Sequence, residues 1–339
     1  MRFDYSVIKN FRNFSGPELK IKWDPGINLI LGPNGSGKTN LLEALSILTG
    51  WGAFGRTQNI ISWANEIPTR AIAFGALSGE ERLEISAAIS TKISLKLDDK
   101  AISFTDLRLA VPSIIFLTGG VNLIDGPPAA RRLFIDRLCS LFFPAYAKKL
   151  ADFKYINRSR VALLRQGRSP ERTSILFSQL GGWIMDRRRE VLELLKKLMP
   201  QNKFSLKFLP EVYSSGEEFL RVKLKENFSR ELIVQHPLNG PNYDELFITI
   251  NQNGRPASES LSRGQKRRLI LYMIITAGKL AALKLKRNPV LLFDDLTAEL
   301  DSEGREFTYQ KLLETGWQVF ITAPEKPFAT RKKFGGIKF

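Results

Sequence analysis

The sequence predicts an α/β protein: a parallel-sheet head with an antiparallel β subdomain, interrupted by an inserted helical lobe. Three observations predict it. Near the start, an apolar strand (27–31) runs into a glycine-rich turn and then a helix. At the end, strand, helix, strand, helix and strand alternate from residue 246 to 322, the pattern of a parallel sheet. Between them, residues 131–200 hold sixteen Lys and Arg against six Asp and Glu, with helical periodicity throughout.

Taken in order, residues 3–8 and 20–23 read as strands, and G-I-N-L-I-L (26–31) is a short apolar strand bounded by glycine. Residues 70–104 form alternating runs separated by Ser78-Gly79 and Asp98-Asp99, an antiparallel meander. Residues 113–117 add one strand, closed by Gly119-Gly120. Residues 129–199 predict three helical stretches, broken at Pro144 and around 167–170 and stopped by Pro200. Strand character returns at 204–209, 219–224 and 246–251. A long helix over 262–285 follows, then strand 290–293, helix 302–314 and strand 318–322. The expected domains are a head in two parts, 1–120 and 236–339, and a helical lobe at 121–235.

The 339 residues carry 51 Lys and Arg against 34 Asp and Glu, a formal charge of +17. That balance points to a polyanionic partner, nucleic acid before an acidic membrane surface. Ten of the seventeen excess charges fall in 131–200, so Arg131, Arg132, Arg187, Arg188 and Arg189 are candidate DNA contacts; a solvated helical face is the alternative. A single cysteine, Cys139, excludes a disulfide framework and reads as buried. One histidine, His236, leaves no zinc cluster or Ser-His-Asp triad to build. No membrane-spanning run and no apolar leader stand out, so a cytoplasmic protein is expected.

The strongest motif is G-P-N-G-S-G-K-T: Gly32, Pro33, Asn34, Gly35, Ser36, Gly37, Lys38 and Thr39. Strand before and helix after are the context of a phosphate-binding loop. Its glycines let successive N–H groups converge on phosphate oxygens. Lys38 reaches the β- and γ-phosphates, and the Thr39 hydroxyl ligates Mg²⁺. The strand V-L-L-F ends in Asp294 and Asp295, putting carboxylates at the carboxyl end of the sheet. Asp294 is expected to hold the metal and Asp295 to orient or deprotonate the attacking water. A third element is L-S-R-G-Q-K-R-R at 261–268. Eight basic and no acidic residues occupy 261–287, although helix starts favour acids. That asymmetry predicts an anion at Ser262, Arg263, Gly264 and Gln265.

Together these are the motifs of the ABC-type P-loop ATPases, which the chain resembles. The resemblance implies ATP and Mg²⁺ as cofactors and a homodimer formed on ATP, since such a signature closes over the nucleotide of a second copy. Leu296–Asp301 (L-T-A-E-L-D) looks like the D-loop at that interface, with Asp301 its last residue. Lys38 and Ser262 stand 224 residues apart, far more than in a compact transporter ATPase, and long heptad coiled coils are missing. Within this class the chain resembles the SMC-like RecF family over nearly its whole length. N-F-R-N-F (10–14), the phosphate loop through Ala44, L-I-D-G-P-P-A-A-R-R-L-F-I-D-R-L (123–138), P-V-L-L-F-D-D-L-T-A-E-L-D (289–301) and Q-V-F-I-T (318–322) carry the resemblance.

It implies a weak DNA-dependent ATPase of DNA repair, replication, recombination and the SOS response. The implied partners are single-stranded, gapped or junction DNA and a RecR-type recombination mediator. By the same resemblance Arg12 is a nucleotide contact, and Gly55-Arg56 stand where the family has a basic turn. Departures are G-P-N-Y-D-E at 240–245 in place of the family's G-P-H-R-D-D, and Thr322-Ala323 where transporters carry a switch histidine. Asp295 replaces the glutamate of many ABC ATPases, one methylene shorter, which favours a timer over a motor. A transporter-type ATPase and a non-hydrolysing, ATP-switched scaffold remain as alternatives.

Overall fold

A computed structural model describes residues 1–52, 54, 71–78, 82–90, 92–117, 123–199, 204–211, 214–251, 254–296, 300–324 and 335–339. The chain divides into two compact units, Met1–Gly120 with Arg267–Phe339, and Val121–Lys266. The expected lobe boundary at 235 therefore falls inside the second unit. The reason is a strand pairing: β9 (Phe204–Leu209) and β10 (Glu245–Ile250) form an antiparallel ribbon that ties residues on both sides of 235 together.

The first unit is built on two sheets. One is antiparallel, with β1 (Arg2–Lys9) between β2 (Leu19–Lys22) and β4 (Ala71–Ser78), continuing through β5 (Leu83–Ile89), β6 (Ile93–Leu97) and β7 (Lys100–Ala101). The expected meander is present and the N-terminal strands join it. The second sheet is parallel, in the order β13 (Gly335–Lys338), β3 (Ile27–Leu31), β12 (Val319–Ala323), β11 (Val290–Phe293), β8 (Ser113–Phe116). Strands β3, β11 and β12 are buried at every residue, as expected of apolar strands covered on both faces.

Helix α1 (Lys38–Leu48) is buried continuously from Leu41 to Leu48. A helix apolar all round must lie inside a core. Its leucines share one cluster with Phe3, Ile8 and Ile85 from the antiparallel sheet and Ile30, Leu292 and Phe320 from the parallel one. The one charge in that stretch, Glu43, is 2% exposed. Arg12 answers it with two hydrogen bonds of 2.8 Å, since a buried carboxylate without a partner is costly. Helix α2 (Phe104–Ala110), capped by Ser103, has no counterpart in the sequence reading.

The second unit holds the three expected helices, α3 (Pro128–Phe142), α4 (Tyr146–Arg165) and α5 (Glu171–Leu198), then α6 (Gly216–Glu226) and α7 (Phe228–Val234). Helix α6 corrects the strand expected at 219–224. F-L-R-V-K-L alternates, but Leu220 and Leu224 are the side chains buried, one helical turn apart. Ser215 caps the helix by accepting from Glu218 N at 3.2 Å. Gly182 makes the packing possible: a Cβ there would lie 2.1 Å from Glu217 N. Cys139 is buried, as read. The last helices are α8 (Ala257–Ser260), α9 (Arg263–Leu285) and α10 (Ser302–Leu313). Gly55-Arg56, Gly119-Gly120 and the D-loop residues 297–299 lie outside the described residues.

Candidate nucleotide site

The carboxyl ends of β3, β11 and β12 bring the first two motifs together. Thr39 Oγ1 donates to Asp294 Oδ1 at 3.0 Å, and Thr322 Oγ1 donates to the same oxygen at 2.8 Å. Thr322 Oγ1 in turn accepts from Asp295 N at 2.8 Å. One continuous chain of hydrogen bonds thus joins the loop, the acidic pair and strand β12. Register explains it, because Phe293 faces Ile321 across the parallel pair and the next residues along are Asp294 and Thr322. Asp294 is 5% exposed. Asp295 sits at φ +56°, a left-handed conformation that a non-glycine residue adopts at some cost.

The loop has the form of an anion cradle. Gly35 and Gly37 sit at φ +84° and +100°, and a Cβ on Gly37 would lie 2.4 Å from Asn13 Nδ2, so glycine is required there on both counts. Helix α1 begins at Lys38 with no acid in its first turn and no side-chain cap, which leaves its first N–H groups for an anion. Ser36 Oγ is buried with no hydrogen-bond partner. Lys38 Nζ curls back onto the Gly32 and Pro33 carbonyls at 2.7 and 2.8 Å. A phosphate chain fits this donor set, with Thr39 and Asp294 as the hard oxygens a magnesium ion takes.

Sequence reasoning missed the braces of this loop. Asn13 Nδ2 donates to Ser36 O at 3.2 Å, while its Oδ1 accepts from Asn40 at 2.7 Å. Thr322 was noted only as the place of a missing histidine; a hydroxyl ending a buried strand beside the acidic one was the available signal. Arg12 was expected to meet the nucleotide. Its guanidinium is turned to Glu43, which also accepts from Phe54 N at 2.7 Å.

Ser262, Arg263, Gly264 and Gln265 open α9 and are exposed. Ser262 Oγ accepts from Gln265 N at 3.3 Å and Gln265 Oε1 from Ser262 N at 2.9 Å. This reciprocal capping box gives the serine and glutamine a local role. The helix start has no acid in its first turn, as expected, and three of its cations find partners from other parts of the chain. Lys266 pairs with Asp125 at 2.6 Å and Arg268 with Glu303 at 3.1 Å, while Arg267 donates to Leu296 O. Asp301 caps α10, accepting from Gly304 N at 2.7 Å.

Of the five candidate DNA-contact arginines, Arg188 is buried and the other four are half-buried, each with a protein partner. Arg188 is 2% exposed and joins Asp136 at 2.8 Å and Asp244 at 2.7 Å. Tyr146 Oη also donates to Asp136, at 2.5 Å. Burial alone would favour neutral Arg188, but the carboxylate of Asp136 holds it more firmly charged. Arg131 pairs with Glu245 at 2.6 Å, and Arg132 donates to Asp244 O at 2.9 Å. Arg187 pairs with Glu190 and covers the Phe143 ring at 5.2 Å; Arg189 pairs with Asp186 at 2.5 Å. Arg188 is therefore committed to the lobe's interior, whereas the other four keep part of their surface open.

Comparison with known proteins gives a consistent result. Residues 5–337 match the RecF/RecN/SMC N terminal domain. The DNA replication and repair protein RecF of Leptospira interrogans serogroup Icterohaemorrhagiae serovar Lai (strain 56601) is 34% identical, over 96% of this chain and 92% of that protein. RecF of Heliobacterium modesticaldum (strain ATCC 51547 / Ice1) is 28% identical, over 95% and 92%. Among solved structures, the recombination mediator protein RecF-ATP in the RecFOR pathway superposes with a TM-score of 0.80 at 24% identity, covering 97% of this chain and 93% of that one. An Smc head bound to the C-winged helix domain of ScpA gives 0.52 at 18% identity, over 96% and 90%. These likenesses place the fold among SMC-like ABC ATPase heads.

Proposed function

Because the chain belongs to the RecF family, we propose that it is an ATP-dependent DNA-binding protein of replication and recombinational repair, a dimer on Mg·ATP and a slow ATPase. The observation that carries this reading is the hydrogen-bond chain from Thr39 through Asp294 and Thr322 to the backbone of Asp295. A bound Mg·ATP supplies the γ-phosphoryl group and the charge that holds two heads together.

The residues divide that work. The N–H groups of residues 35–39 and Lys38 bind and orient phosphate oxygens. Thr39 and Asp294 would hold the magnesium ion. Asp295 orients the attacking water and takes its proton at the carboxylate. Thr322 fixes the direction of both acids, accepting from one backbone and donating to the other side chain. Ser262, Gly264 and Gln265, exposed on their turn, would complete the site of a second copy, with Asp301 closing the D-loop beside it.

DNA at single-strand gaps and junctions and a RecR-type mediator are the partners that fit a RecF relative described in a RecFOR pathway, and the cytoplasm is the compartment. The family assignment sets aside the transporter alternative. Lys38→Ala tests the reading: ATP-dependent dimerisation, followed by light scattering, and retention on gapped DNA, followed by gel shift, should be lost together. A variant that still dimerises on ATP overturns the composite site.

A further inference from the structure

Arg131, Arg132 and Arg187–Arg189 each have a protein partner, whereas the lobe's unpaired positive charge concentrates on one face of α4. Tyr146, Phe153, Arg160 and Leu164 form the buried side of that helix. On the opposite side Lys148, Lys154, Tyr155, Arg158 and Arg165 are all exposed. Arg160, on the inner side, is neutralised by a buried ion pair with Glu231. The outer cations make no ion pair or hydrogen bond through their side chains among the described residues.

Two features separate this face from an ordinary solvated helix. Residues 153–170 contain no Asp or Glu, so Lys154, Arg158 and Arg165 lack the acid at i+3 or i+4 usual of exposed basic helices, while Lys148 has the exposed Asp152 one turn on. The neighbouring helix shows that habit, pairing Arg187 with Glu190 and Lys196 with Glu193. Second, Tyr155 stands 62% exposed in the middle of the cations. Lys154 and Arg158 are one turn apart, about 6 Å along the axis, and Lys154 to Arg165 spans about 17 Å. Arg168 and Arg172, also exposed, continue the line beyond the helix.

We propose that this face of α4 is a track for single-stranded DNA, with backbone phosphates on Lys154, Arg158 and Arg165 and a base stacked on Tyr155. A positively charged path with an aromatic platform is the combination by which single strands are held without sequence preference. Duplex DNA would use the cations and leave the ring idle. The inference rests on the DNA-binding reading above and assigns it a surface.

The test uses the full chain with Mg·ATP and two probes, a fluorescein-labelled oligothymidine and a blunt duplex of equal length, in anisotropy titrations across salt. The triple variant Lys154→Gln/Arg158→Gln/Arg165→Gln should lower the slope of log Kobs against log salt on the oligothymidine by about 2. Tyr155→Ala should weaken the oligothymidine at least about fivefold and leave the duplex unchanged, with Tyr155→Phe restoring binding. Retained ATP-dependent dimerisation and an unchanged thermal melt show that both variants fold. If the triple variant binds with the wild-type slope, the face is solvated and the track is overturned, with DNA binding itself intact. If the charges matter but Tyr155→Ala is silent on both probes, a duplex occupies the face and the single-strand assignment fails. A wild-type chain that binds neither probe overturns both readings.

Discussion

Two polar clusters, one in each unit, look alike in composition and behave oppositely. Around Asp294, a carboxylate meets two threonine hydroxyls at the open ends of parallel strands, next to a loop whose Ser36 hydroxyl has no protein partner. Around Arg188, a guanidinium meets Asp136 and Asp244 and the Pro241 carbonyl inside a helical packing, with almost nothing left to solvent. The first cluster stands at the open strand ends beside a loop donor without a partner, Ser36 Oγ; the second is closed off from solvent, so its cation is spent on holding the packing. Net charge alone does not distinguish the two.

The largest way to break this contrast is Arg188→Ala. It strands two carboxylates in the lobe interior, and the unfolding free energy followed by tryptophan fluorescence should fall by about 3–5 kcal/mol. A loss below about 1 kcal/mol would return Arg188 to the surface-charge class.

The same hub sets a pH dependence. Burial pushes Asp244 up to about 6, with Arg188 opposing the rise, from an ordinary value of 3.8. Between those values the folded lobe keeps a proton that the unfolded chain has released. Stability from this group is thus full below pH 4, falls as pH rises through 6, and is level above it. The unfolding free energy of the wild type minus that of Asp244→Asn should shrink by up to about 3 kcal/mol across this window. A constant difference would mean that the folded lobe binds this proton no more tightly than the unfolded chain does.

At the open cluster the effect should fall on turnover and spare the fold. Thr322→Val keeps a β-branched side chain in β12 but removes the hydroxyl between Asp294 and Asp295. Phosphate release should slow roughly tenfold, about 1.4 kcal/mol in the barrier, while ATP-dependent dimerisation persists. Loss of dimerisation as well would make Thr322 part of nucleotide binding.

What the sequence made legible follows the same division. The phosphate loop, the acidic pair and the signature are contiguous stretches whose chemistry is local, so strand, turn and helix could be assigned from adjacent residues. The Arg188 hub was illegible because its acids lie at positions 136 and 244, brought together by helix packing and the β9–β10 ribbon. The misread strand at 219–224 is a smaller case. Its alternation outweighed the Ser215 and Glu218 capping signal, and the glycine contact at Gly182 that seats the helix is a tertiary fact. The braces on the loop, Asn13 and Thr322, were visible as residues and invisible as partners.

Helix α1 has one more consequence. Its N-terminus forms the phosphate loop, and its body is sealed in a core shared by both sheets. The helix that closes the loop is anchored from Leu41 onward in the apolar interior of the first unit. Free energy delivered by a ligand at Gly37 is thereby linked to the global unfolding of that unit and adds to it by mass action. Amide protons of β5, in the antiparallel sheet, should then gain exchange protection on nucleotide binding along with those of β3. The binding site and the core respond as one cooperative unit.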